Sequence, residues 1–266
     1  MKSRIAIAGL RLGSRDVDGL RFIGEGYEVA QYALHEAVFS GLTPNVVSRF
    51  VTRWHRRGVL AAERLNGIGM NRLRLTAAGR DLLLERGLAH PDELFAPRKP
   101  VALKDLQHTL FINDARVALG RLPSKPDLTL AAWALQRRFA PRPMVVPDVL
   151  AIWRRRANAD GLLLVCEIDL GGESLRAVFM PKLELLRREV DRWRGASPAV
   201  VVVLTHGVRR VATLKDAFCE SNDDVAWCVE ELPPSPGRRS IEDLQALLAG
   251  VTRATRPPSK DSLLSL

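Results

Sequence analysis

Between residues 44 and 57 the apolar positions Val47, Phe50, Val51 and Trp54 recur at i, i+3, i+4 and i+7, the spacing of one stripe along an α-helix. Thr43 is a good N-cap, Pro44 suits the first helical position and Gly58 suits a left-handed residue just past the end. The pattern therefore predicts a helix with well-marked bounds. Residues 28–39, with Val29, Ala30, Ala33, Leu34, Ala37 and Val38, read as a preceding helix joined by a Ser40-Gly41-Leu42 turn. Downstream, residues 59–65 and 72–75 predict a hairpin around Asn66-Gly67-Ile68-Gly69. Thr76 then caps a last helix over 77–86, which stops at Gly87.

The face of the 44–57 helix opposite its apolar stripe carries Asn45, Arg49, Thr52, Arg53 and Arg56, with Ser48 beside them. All can donate to phosphates or base edges. Taken with the order of elements, they predict a winged helix-turn-helix over residues 14–90, with double-stranded DNA as its partner. The competing reading is a helical protein-interaction module, an adaptor whose basic face is only solvated and which has no affinity for DNA.

Residues 91–100, with Pro91, Pro97 and Pro100, read as a linker. From 101 the pattern changes. A helix over 101–122 is followed by strand-like runs at 127–135, 144–154 and 161–168, a helix over 175–193 and an apolar strand at 199–205. Residues from Val211 onwards and 225–229 are further strand candidates. The expected fold class is α+β, with an αβββαβ domain on a mixed sheet over 101–232, then a short helix and a tail over 233–266.

Composition adds two constraints. The formal net charge is +10, and Arg supplies 33 of the 40 basic residues, which favours polyanionic partners. Three cysteines, Cys166, Cys219 and Cys228, are too few and too scattered for a disulfide framework or a zinc site. No apolar run is long enough for a membrane span or a signal segment, so the expectation is a cytoplasmic protein without a membrane partner.

Within the second region, Pro147-Asp148 sits in one strand and Glu167-Ile168-Asp169 ends the next. Alternation points Glu167 and Asp169 to one face, and pairing of the strands brings Asp148 to them. Asp148, Glu167 and Asp169 would then be oxygen ligands for Mg2+ or Mn2+, able to activate water against a phosphodiester. Arg154-Arg155-Arg156 reads as a solvated hairpin tip or a grip on phosphate.

An αβββαβ order with a Pro-Asp on one strand and Glu-x-(Asp/Lys) on the next resembles the PD-(D/E)XK restriction-endonuclease-like superfamily. More narrowly, the chain resembles the replication-relaxation family of plasmid and mobile-element proteins. His108 and Asn113, Pro147-Asp148, the run from Glu167 to Ser174 and Lys182 match that family's motifs in order. The resemblance implies a winged helix ahead of a restriction-endonuclease-like domain. It implies catalytic roles for Asp148, Glu167, Asp169 and Lys182 in a metal-dependent DNA endonuclease acting in replication, relaxation or defence. It departs from the nuclease pattern where Asp169 stands in place of the usual lysine, and Lys182 is the candidate to supply that charge from the helix. The alternative is a non-enzymatic transcriptional or replication regulator. Its second domain would then need no metal and would serve dimerisation, as a homodimer, or hold DNA.

Overall fold

The computed structural model describes residues 11–65, 71–95, 100–131, 143–154, 161–195, 197–219 and 225–255. The chain divides into two compact units at Val117 and Ala118. Among the described residues no helix is long and apolar enough to cross a membrane.

The first unit contains α1 (Ser14–Gly26), β1 (Val29–Ala30), α2 (Gln31–Val38), α3 (Pro44–Arg56), β2 (Leu60–Arg64), β3 (Asn71–Leu75), α4 (Ala77–Glu85) and most of α5 (Leu103–Gly120). Its strands form an antiparallel sheet in the order β1-β3-β2. The stripe Val47, Phe50, Val51 and Trp54 is buried as the periodicity predicts. Gly58 takes the left-handed conformation at φ +70°. Thr43 has the extended backbone of an N-cap, but its hydroxyl makes no capping bond; Thr76 does cap α4, accepting from the Gly79 N–H. The hairpin forms with Leu60 opposite Leu75 and Arg64 opposite Asn71, and its turn lies outside the described residues.

The predicted 28–39 helix is corrected at its start. Val29 and Ala30 pair with Leu73 and Arg72 as a strand, and the helix begins at Gln31. Glu28, just ahead of this strand, is fully buried. Its carboxylate accepts from the Val101 N–H at 2.9 Å and faces Arg72 at 3.4 Å and Arg74 at 3.3 Å. Burial pushes its pKa up, opposed by the Val101 N–H and then by Arg72 and Arg74. Leu94 is buried, and Phe95 donates its N–H to the Gly24 carbonyl while its ring meets Tyr27 at 3.9 Å.

Asn113, on α5, acts as a clamp in this unit. Its Nδ2 donates to the carbonyls of Gly26, Glu28 and Thr109 at 3.2, 2.8 and 2.9 Å, and its Oδ1 accepts from Arg116. Between the two clamped carbonyls of the 26–28 turn Tyr27 has φ +61°, a conformation that persists only where surroundings impose it. Gly26 has no room for a side chain: a Cβ there would lie 2.3 Å from Val29 Cγ2. Nearby, Tyr32 donates to the buried Asp114 at 2.8 Å.

The second unit is built on a mixed five-stranded sheet, β4 (Leu128–Ala131), β5 (Val149–Trp153), β6 (Leu162–Asp169), β7 (Ala199–Thr205) and β8 (Val225–Glu231), in that spatial order. β4 to β6 run antiparallel, and β6, β7 and β8 run parallel. β6 and β7 are buried along their whole length, as strands covered on both faces must be. A π-helical turn (Leu175–Phe179) and α6 (Met180–Arg194) connect β6 to β7 and supply Leu183, Leu186 and Val190 to the core. α8 (Arg238–Thr255) packs on β7. The strand candidate from Val211 onwards is instead α7 (Val208–Leu214) and a π-helical turn (Lys215–Cys219). Val211, Leu214 and Phe218 fall at i, i+3 and i+7 and are all buried, which is helical spacing.

Replacing Asn113 by Ala removes the donor from two loop carbonyls and the acceptor from buried Arg116. The expected cost is about 1–3 kcal/mol, read as a fall in unfolding temperature by circular dichroism; an unchanged midpoint would deny Asn113 this structural role.

Candidate functional site

The outer face of α3 carries a shallow, open depression of about 500 Å³ between the side chains of Asn45, Ser48, Arg49, Thr52, Arg53, Arg56 and Arg57. All six residues that the sequence assigns to DNA contact line it, all are exposed, and Arg57 joins them. They are not equivalent. Arg53 pairs with Asp16 of α1, which also accepts from Trp54 Nε1 at 3.2 Å. Ser48 accepts from Gln31 Nε2 at 3.1 Å, and Gln31 Oε1 accepts from Asn71 of β3 at 2.7 Å. This chain of amides ties the hairpin to α3. Among the described residues, no carboxylate pairs with Arg49 or Arg56.

The carboxylates of the second unit lie at the ends of β5 and β6. Glu167 and Asp169 share the face of β6 that carries Val165 into the core beside α6. Glu167 is fully buried, and its carboxylate receives Lys182 from the first turn of α6. Asp169 is differently engaged. Its Oδ2 accepts from the Thr205 hydroxyl at 2.6 Å and from Arg210 Nε, while its Oδ1 accepts from the Gly171 N–H at 2.9 Å. Thr205 is its register partner on β7. Arg210 also donates from Nη1 to the Glu173 carbonyl at 2.9 Å. Asp148 accepts from the Ile168 N–H at 2.7 Å. Phe179, buried in the π turn, lies beneath both cations, with Lys182 Nζ at 5.9 Å and Arg210 Cζ at 5.2 Å from its ring centroid.

The structure thus brings Asp148, Glu167, Asp169 and Lys182 to one end of the sheet. Among the described residues, however, no three of His, Cys, Asp and Glu are placed to hold a metal ion. The donor set does not fit a divalent cation as it stands, because Glu167 receives an ammonium and Asp169 a guanidinium, a hydroxyl and an amide N–H. His108 is half-buried on α5, and Asn113 belongs to the clamp described above. Arg155 and Arg156 lie outside the described residues. Sequence reading missed Asp16, Gln31 and Asn71 beside α3, and Thr205, Arg210 and Phe179 beside the carboxylates. For Arg210 a signal existed: the period of Val211, Leu214 and Phe218 marks a helix, with Arg210 one residue before its apolar stripe.

The model of the family described as replication-relaxation matches residues 20–188. No curated protein and no solved structure matches the chain.

Burial works to lower the Lys182 pKa, but Glu167, with Asp148 and Glu173 behind it, outweighs burial and the net shift is upward. The folded protein therefore holds this proton more tightly than the unfolded chain does. The stability so gained is complete below the ordinary lysine value and is lost as pH rises through the raised one. Comparing unfolding curves between about pH 10 and 12, wild type should lose more stability than Lys182→Met; parallel losses would rule the pair out as the source.

Proposed function

The chain belongs to the replication-relaxation family, and on that premise we propose that it is a DNA-binding protein that grips duplex DNA in the replication or relaxation of a plasmid or mobile element. In this reading the first unit is a winged helix-turn-helix, α3 is its recognition helix, and the β2–β3 hairpin is its wing. The observation that carries the reading is the exposed outer face of α3, where Arg49 and Arg56 have no carboxylate partner among the described residues. Guanidinium groups presented this way, with Thr52 between them and Asn45 one turn before, suit phosphates and base edges. The net charge of +10 favours the same partner.

The second unit is read as a restriction-endonuclease-like fold that serves as a platform rather than as a catalyst. Its carboxylates support this reading, since each is already held by donors or cations of the same unit. Metal-dependent nicking of supercoiled plasmid, lost in both Asp148→Ala and Glu167→Ala, would instead assign phosphodiester hydrolysis to it.

Fluorescence anisotropy with a labelled duplex, titrated over salt, tests the main claim. Replacing Arg49 and Arg56 together by Ala should weaken binding and reduce the salt slope by roughly two, close to one per lost phosphate contact; an unchanged slope would place the contact elsewhere. Asp16→Asn keeps an acceptor for Trp54 but releases Arg53 from its counter-charge. It is expected to raise the slope by about one, and a slope equal to wild type would show that Arg53 contributes nothing even when released.

A further inference from the structure

In the second unit three carboxylates, Asp148, Glu167 and Asp169, are at most 6% exposed. Charges so far out of water must be neutralised by a metal ion, by protons or by cations of the protein. Lys182 meets Glu167, and Arg210 meets Asp169 through Nε while anchoring Nη1 on the Glu173 carbonyl. The two cations leave the three carboxylates within one unit of electrical balance.

Both cations are also seated on the same ring. Phe179 is 1% exposed and lies within cation–π distance of Lys182 and Arg210. A divalent ion entering here would have to displace Lys182 from Glu167 and from Phe179. It would also find both oxygens of Asp169 committed to Gly171, Thr205 and Arg210. Asp148 is held against the Ile168 N–H.

We propose that Lys182 and Arg210, seated together on Phe179, are the resident counter-ions of these carboxylates, so that this end of the sheet takes no divalent ion in the protein without nucleic acid. The inference is independent of whether α3 binds DNA. It specifies what occupies the place where the family resemblance leads one to expect a metal.

The test uses the full chain in two measurements, thermal unfolding with millimolar Mg2+, Mn2+ or EDTA, and Mn2+ binding followed by electron paramagnetic resonance. Wild type should unfold at one temperature in all three conditions and show no saturable Mn2+ binding. Lys182→Met should unfold lower, by on the order of 5 °C, and recover part of that loss in Mn2+, while Lys182→Arg should resemble wild type. Two results would overturn the proposal: stoichiometric Mn2+ binding by wild type that Glu167→Gln abolishes, or a Lys182→Met protein as stable as wild type. Should Lys182→Met fail to fold, the comparison of wild type with Glu167→Gln decides the matter alone.

Discussion

A carboxylate withdrawn from water must be met by a cation or by several donors, and this requirement organises both units of the chain. In the first, buried Glu28 draws Arg72, Arg74 and the Val101 N–H around it just ahead of β1. In the second, Glu167 and Asp169 draw Lys182 and Arg210 down onto the ends of the parallel strands. Ion pairs of this kind add little net stability compared with apolar packing, but losing one partner is costly. They therefore constrain which arrangement forms more than they add to its depth.

The same rule, applied in reverse, distinguishes the surface that the proposed function assigns to DNA. On the outer face of α3, among the described residues, only Arg53 of the three predicted arginines has an acid, Asp16. Arg49 and Arg56 stand exposed on the same face. Cations supplied with carboxylates are part of the fold; cations left without them in a solvent-facing array are suited to a polyanion. This difference separates Arg49 and Arg56 of α3 from Lys182 and Arg210 at the carboxylate cluster.

Periodicity made much of the fold legible in advance. The α3 stripe, the hairpin, the cap at Thr76 and the buried run of β7 all follow from local sequence signals, which the backbone obeys. α1 was not legible, because Gly19, Gly24 and Gly26 make it a poor helix by propensity. Those glycines are there for close approach, as Phe50 against Gly19 and Asn113 against Gly26 show. Nor could spacing reveal the long-range polar pairs. Arg210 lies 41 residues from Asp169 in sequence, and only the parallel register of β6 and β7 brings them together. Of the proposed catalytic set the positions were readable, but not the partners that occupy each carboxylate.

The geometry at the carboxylates traces back to one local irregularity. Pro181 has no N–H to offer a regular helix, and the chain enters α6 through a π turn in which Phe179 donates its N–H five residues back, to the Ser174 carbonyl. Such widening changes the angular position of every later residue on the helix. It leaves Phe179 pointing into the core while Lys182, three residues on, comes over the same ring and reaches Glu167. A regular helix running from Leu175 would lack this widened turn and so set Lys182 at a different angle relative to Phe179. The charge that answers Glu167 thus follows directly on a widened turn, an irregularity that the order of the motif's residues does not reveal.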